Sequence, residues 1–426
     1  MPARANVRAM PRPMPEAPPV ITATRPAKSF MRASLPDLAA SSNEVDARRQ
    51  DERGARLTAT SRRLRAVRPV VSFRASRARG GKRMADRPIV IIGCGFGGVC
   101  LAIRLKKAGI ENFVILERAK DIGGVWRDNS YPGCACDVPS VYYSYSFEQD
   151  YPWSSHHAPW NEILAYIKHC ATKYGVTPHI RLDTRVESAR FDEARACWMI
   201  ETAKGETLEA SHLVSAVGLF GEPTFPDIPG RETFEGVSFH SSRWRHDYDL
   251  AGKRVAAIGV GASAIQYVPR IAPVVKQLYV AQRTPQYVRP REEGGARAGL
   301  FWYKATPLFR RRERRRLWEQ YENGYDLRII PEEREAQERA YRDYLGKVIS
   351  DPTLREKLTP GYPLGCKRVL ASNDFYPAMQ RDNVELVTDA IAEITATGIR
   401  TRRSEEHTSE LQSLAYLVCR LLLEKK

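Results

Sequence analysis

Apolar residues in this chain come in short runs set between glycine-rich turns. Ile89-Val-Ile-Ile92 is four apolar residues long, the pattern of a strand covered on both faces of a parallel sheet. A glycine turn follows at 93–98, and then Val99, Ala102 and Ile103 recur at helical spacing. Phe113–Leu116 is the next apolar run. The same order returns later: Arg254–Ile258 reads as a strand, residues 259–264 as a glycine turn and Gln277–Ala281 as a second strand. From about 300 to 349 the pattern becomes polar and helix-rich. The expected fold is α/β, with two Rossmann-like dinucleotide-binding domains and a helical insertion.

The turns carry the chemistry. Gly93-Cys-Gly-Phe-Gly-Gly98 has the spacing G-x-G-x-x-G. Gly93 serves the tight turn, Gly95 lets the backbone approach a pyrophosphate, and Gly98 lets the helix pack close to the strand. Glu117 ends the second strand, 24 residues after Gly93, where a carboxylate can accept from ribose hydroxyls. In the second copy, Gly259, Gly261, Ser263 and Ala264 form the turn. Arg283 lies 24 residues after Gly259, followed by Thr284, so a cation and a hydroxyl replace the acid. Guanidinium pairs well with a ribose 2′-phosphate, so the first site reads as FAD and the second as NADPH.

The net charge of +17 invites a reading as a nucleic-acid binder. Its distribution removes that reading, because residues 1–83 alone carry +13 and residues 403–426 carry zero. Residues 1–83, rich in Arg, Ala, Pro and Ser, read as a disordered or non-native extension, either an organellar transit peptide or translated upstream sequence with Met84 as the start. Arg403–Ser413 and Leu417–Lys426 resemble the in-frame translation of a sequencing adapter, so 403–426 is expected to be an adapter-derived tail and the enzyme to be truncated. The eight cysteines include no C-x-x-C pair, which argues against a dithiol redox site and suits a reducing, cytoplasmic setting. No apolar run is long enough for a membrane helix. His156 and His157 read as loop histidines with no metal spacing around them. The dense basic run Arg310–Arg316 reads as a solvated helix face.

Phe234-Glu-Gly-Val-Ser-Phe-His240-Ser-Ser-Arg-Trp244 resembles the F-x-G-x-x-x-H-x-x-x-W fingerprint of Baeyer–Villiger monooxygenases. Arg245 departs from the Pro or Asp usual there, and flavin-containing monooxygenases carry Tyr in place of Trp244. Gly123-Gly124-Val-Trp126, the segment from Tyr131 through Asp137, and Tyr142-Tyr143 are similar to the family's flavin-side stretch. Val214–Gly218 stands where the family has an A-T-G strand end, and Gly365-Cys-Lys367-Arg368 resembles its active-site segment. The resemblance runs from about Asp86 to Thr401. It implies an FAD- and NADPH-dependent enzyme that turns a small-molecule ketone and O2 into an ester or lactone through a C4a-peroxyflavin. It also implies that Arg368 stabilises the developing anions and Asp137 orients Arg368 across the flavin. Lys367 would assist NADP binding, His240 would couple nicotinamide movement to the flavin, and Gly124, Trp126 and Tyr143 would border the cofactor.

The expected organisation is a first flavin-domain portion at 84–225, a linker at 226–234, and an NADPH domain at 235–388 that holds the helical insertion. Residues 389–402 would begin an incomplete return to the flavin domain. Oxygenation of nitrogen or sulfur, and an inactive fragment without stable FAD binding, are the competing readings. A flavin reductase is disfavoured by the missing C-x-x-C. Oligomeric state and substrate identity have no signature in the sequence.

Overall fold

In the computed structural model, residues 86–291, 306–402 and 416–419 are described; the extension expected at 1–83 and most of the tail expected at 403–426 lie outside them. The first apolar run is strand β1 (Ile89–Ile92), and the periodic stretch after it is helix α1 (Phe96–Lys107). The second run is β2 (Phe113–Leu116). A short helix α2 (Val125–Asp128) and a longer α3 (Trp160–Lys173) come before β3 (Ile180–Arg181). Strands β4 (Val186–Asp192), β5 (Cys197–Thr202) and β6 (Thr207–Ala210) make an antiparallel meander that the apolar pattern did not announce. Strand β7 (His212–Ser215) completes a four-stranded parallel sheet in the order β3-β2-β1-β7. One face of that sheet packs on α1 and α3 through Val99, Ile103, Ile163 and Ile167. The other face meets the meander through Val90, Leu116, Ile200 and Ala210. Covering both faces explains why the strands are continuously apolar.

The second unit repeats the plan. Strand β8 (Val237–His240), β9 (Arg254–Ile258), helix α4 (Ala264–Ile271), β10 (Gln277–Ala281) and the short β11 (Val288–Arg289) follow in order. The helical insertion is α5 (Pro307–Ile329) and α6 (Pro331–Val348), succeeded by α7 (Pro352–Leu358). Then come β12 (Leu370–Ala371), α8 (Phe375–Met379), β13 (Val384–Val387) and the hairpin β14 (Ile391–Ile394) and β15 (Ile399–Thr401). Strand β16 (Tyr416–Cys419) is paired in parallel between β8 and β9, giving the order β13-β10-β9-β16-β8. That slot makes its ladder from backbone N–H and C=O groups, so it asks for extended chain rather than for particular side chains.

Residues 389–402, expected to turn back toward the first unit, instead pack on the second sheet. Ile394 and Ile399 cover Ala256 and Tyr279, with Phe225 just before the linker and Ile228 and Phe234 within it alongside. The linker is fitted closely to the hairpin: a Cβ at Gly230 would lie 1.9 Å from the Ile394 carbonyl oxygen.

The basic run on α5 is more than a solvated face. Arg310 pairs with Asp150, and Arg314 Nη1 donates to the carbonyls of Val141 (3.2 Å) and Tyr142 (3.0 Å). Arg315 and Arg316 pair within the helix with Glu319 and Glu313. Leu317 is buried against the first unit's core. The insertion therefore spans from its own unit onto the segment that precedes α3.

Candidate active site

In each unit the glycine turn leaves the carboxyl end of the sheet's inner strand, where α/β sheets bind ligands. Gly93 has φ +101°, and its N–H donates to the Leu116 carbonyl at 2.8 Å. A Cβ at Gly98 would lie 2.0 Å from the Gly93 carbonyl oxygen, so only hydrogen fits there. Gly124 faces Gly95, where an added Cβ would come within 3.1 Å of the Gly95 Cα. The result is a backbone-lined cradle at the N-terminus of α1, suited to a pyrophosphate. Glu117 is buried beside it. Its Oε2 accepts from Cys94 N at 2.8 Å, and its Oε1 accepts from Ala119 N at 3.0 Å and Arg127 Nη1 at 3.1 Å. A carboxylate offers about four lone-pair sites. One therefore remains, on Oε2, for a sugar hydroxyl.

The second cradle is looser. Gly259 has φ +100°, and its N–H donates to the Ala281 carbonyl at 2.9 Å. Gly261 accepts from Ile265 N at 3.1 Å, while Ser263 and Ala264 are buried at the start of α4. Beyond β10, Gln282 is buried and donates to the Lys357 carbonyl at 2.7 Å. Arg283 is exposed and Thr284 is half-buried. Among the described residues Arg283 forms no ion pair, so its guanidinium is available to an anionic ligand.

Between the cradles lies a cleft of about 700 Å³ whose walls come from both units. It brings together Trp126, Asp137, Tyr143, His240, Ser263 and Arg368. Arg368 Nη2 donates to Asp137 Oδ1 at 2.7 Å and Oδ2 at 2.6 Å, a direct pair across 231 residues of chain. The sequence reading had Asp137 acting on Arg368 across the flavin; here the two touch. Trp126 Nε1 donates to Tyr143 Oη at 3.1 Å, which fixes both rings on the wall. His240 ends β8 and is buried, with Ser242 N donating to its Nδ1 at 3.1 Å. That backbone donor makes Nδ1 an acceptor, so in the neutral ring the proton sits on Nε2. Lys367 is not on the cleft wall; its Nζ lies 5.0 Å from the Tyr362 ring centroid. Glu117, Arg283, Thr284 and the first-unit glycines at 93, 95 and 98 are likewise not part of that wall.

Two thiols near the site are chemically quiet. Burial pushes Cys94 up to about 12, helped by Glu117, and burial pushes Cys136 up to about 12. A thiol so placed is not a thiolate near neutral pH, which removes dithiol exchange at these positions. Among the described residues no cluster of His, Cys, Asp or Glu is arranged to hold a metal ion.

Two residues central to this geometry had no signal in the sequence reading. Arg127 secures Glu117 and also donates to the Asp121 carbonyl at 2.6 Å. Gln266, on α4, accepts from Tyr131 Oη at 3.0 Å and donates to the Ala135 carbonyl at 3.0 Å. It thereby ties the second unit to the loop that carries Asp137. Arg245, the position that departs from the fingerprint, makes an exposed bidentate pair with Asp247 at 2.8 and 2.7 Å.

Residues 90–292 match the family model described as pyridine nucleotide-disulphide oxidoreductase. A Baeyer–Villiger monooxygenase of Streptomyces coelicolor is 46% identical over 314 residues, which is 72% of this chain and 59% of that protein. The chain thus spans 59% of the length of that curated relative. A solved oxidised steroid monooxygenase bound to NADP is 32% identical with TM-score 0.68, covering 78% of this chain and 71% of that one. An ε-caprolactone-bound cyclohexanone monooxygenase is 29% identical with TM-score 0.68, covering 78% and 72%.

Proposed function

This chain belongs to the Baeyer–Villiger monooxygenase family, and from that premise we propose that its first cradle holds FAD, its second holds NADPH, and the cleft between them oxygenates ketones. The reaction so assigned takes a ketone, O2, NADPH and a proton to an ester or lactone, NADP+ and water. The observation that carries it is the Arg368–Asp137 pair, one partner from each unit, on the wall shared with His240.

The residues fit the cofactors. The Gly93–Gly98 cradle admits a pyrophosphate because side chains are excluded from it, and Glu117 keeps one acceptor site for ribose. Arg283 and Thr284 offer a cation and a hydroxyl to a 2′-phosphate. When bound, the flavin supplies electron transfer from NADPH to dioxygen and delivery of one oxygen atom to the carbonyl.

The protein's own part is electrostatic. Arg368 would place a cation where negative charge develops on oxygen, and Asp137 tethers it through Nη2, which donates to both carboxylate oxygens. The Arg368 side chain is 65% exposed, so in the open cleft water screens its charge. Cofactor and substrate filling the cleft exclude that water and strengthen the cation's effect. His240, with Nδ1 committed to Ser242, would offer an Nε2–H donor to a nicotinamide or flavin bound in the cleft. Lys367 contributes to NADP binding from beside the cleft rather than within it.

No described helix is long and apolar enough to cross a membrane, and the cysteines at 94, 100, 134, 136, 170, 197 and 366 are free thiols. The free thiols suit a reducing compartment, and a small ketone and O2 as partners follow from the reaction proposed above. The test is spectroscopic and then catalytic. The purified protein should absorb near about 450 nm through bound flavin and form lactone from cyclohexanone with NADPH. A colourless protein that forms no lactone would overturn the reading.

A further inference from the structure

A smaller recess of about 120 Å³ adjoins the cleft, sharing Asp137 and Ala371 with it. Its wall includes Arg289, Arg291, His156 and His157, together with Tyr321 of α5. The one acid on that wall, Asp137, is already engaged by Arg368. Strand pairing sets Arg289 opposite Ala371, three residues beyond Arg368, so Arg368 lies just ahead of the short ladder that carries Arg289. Arg291 is anchored by Asn373, whose Oδ1 accepts from its N–H at 2.8 Å and whose Nδ2 donates to its carbonyl at 2.9 Å. Arg289 forms no ion pair among the described residues.

From this excess of cations beside the reaction centre we propose that the recess binds the carboxylate of the substrate, so that the preferred ketones of this site are oxo acids. The inference rests on the oxygenation reading for its substrate assignment, and on the recess alone for its anion binding. A carboxylate with an adjoining methylene fits the volume, whereas a sugar phosphate does not. Burial first, and then the charges of Arg291, His156 and Arg289, hold His157 down at about 3; an anion in the recess would offset the charge contribution alone. Guanidinium at Arg289 can meet a carboxylate through two N–H donors, and Arg291 adds charge from a position its backbone fixes.

The experiment uses levulinate, its methyl ester and inorganic phosphate as probes, titrated calorimetrically into the full chain, with the His157 ring followed by NMR. Levulinate should bind roughly tenfold or more tightly than the ester, since a charge-assisted pair is lost in the ester. Arg289→Gln should bring levulinate to the level of the ester, Arg289→Lys should restore part of the difference, and the His157 titration should move upward when levulinate is bound. Equal binding of acid and ester, or no effect of R289Q in a folded protein, would overturn the anion site. Phosphate binding more tightly than levulinate would overturn the carboxylate assignment in favour of a phosphate site. Turnover separates the two proposals. Oxygenation of neutral ketones without any preference for the acid keeps the monooxygenase reading and removes this one. Levulinate binding without any oxygenation removes the monooxygenase reading and the oxo-acid assignment while leaving an anion site.

Discussion

The two nucleotide-binding units share strand order, glycine turn and helix, yet they differ at two matched positions. At the last position of the turn the first unit has Gly98 and the second has Ala264. The first turn is so tight that an added Cβ would meet backbone oxygen at 2.0 Å, while the second accommodates its alanine fully buried. At the end of the second strand, Glu117 is buried and secured by three protein donors, whereas Arg283 stands exposed. On the proposed assignment, the first unit would be pre-formed around its cofactor and the second would offer an exposed charge to its own. This contrast matches the chemistry of a resident flavin and an exchanging nicotinamide nucleotide.

The largest effect should come where both units act together. Arg368→Ala is expected to lower ketone oxygenation by about a hundredfold to a thousandfold, the range for removing one charge-stabilising donor, while NADPH still reduces the flavin. Stopped-flow reduction and lactone yield measured on the same preparation check this. The next test breaks the symmetry of the turns. Gly98→Ala should cost roughly 1–3 kcal/mol or more in stability and empty the first site of flavin. Ala264→Gly should cost only about 1 kcal/mol. Thermal melts and flavin content give both numbers, and equal losses would erase the distinction between the units.

Arg283→Ala should cut the preference for NADPH over NADH by roughly tenfold to a hundredfold, with kcat on NADH little changed. An unchanged ratio of kcat/KM values would show that the second unit does not read the phosphate. A smaller effect concerns acid. His157 is held at about 3 in the folded chain against a usual 6.5, so the unfolded chain binds more protons between those values. Stability should therefore fall as pH drops from about 6.5 toward about 3. His157→Asn should flatten that slope in melts taken across the range. Least of all, Arg245→Pro should leave stability within about 0.5 kcal/mol and ketone oxygenation unchanged, because the exposed Arg245–Asp247 pair is screened by water.

The parts legible in the sequence were those set by local sterics and by alternation between apolar and glycine residues. The runs at Ile89, Phe113, Arg254 and Gln277 reported strands because burial on both faces leaves no room for polar side chains. The antiparallel meander was missed because Val186–Asp192 is largely solvent-facing and carries charges, which hides the period of two. Arg127 and Gln266 left no trace because a long polar side chain finds its partner through tertiary placement, and spacing does not encode that. The same reason applies to Arg310 and Arg314, which look alike in sequence to Arg315 and Arg316 yet reach the first unit instead of their own helix. The hairpin at 391–401 was not read as strands, and the expectation of a return to the flavin domain gave no sign of which sheet it would cover, since either offers apolar surface.

The loop from Ser130 to Asp137 belongs by sequence to the first unit and by packing to the second. Tyr131 and Cys134 are buried in the second unit's core, Ser130 meets His246 at 2.8 Å, Gln266 holds Tyr131 and Ala135, and Arg368 holds Asp137. The border at which the two halves could be cut and exchanged between relatives therefore does not fall in the linker near residue 230. A chimaera that imports a foreign nucleotide half must bring its own version of this loop with it. One joined at the linker alone would inherit a mismatched socket in the middle of its cleft.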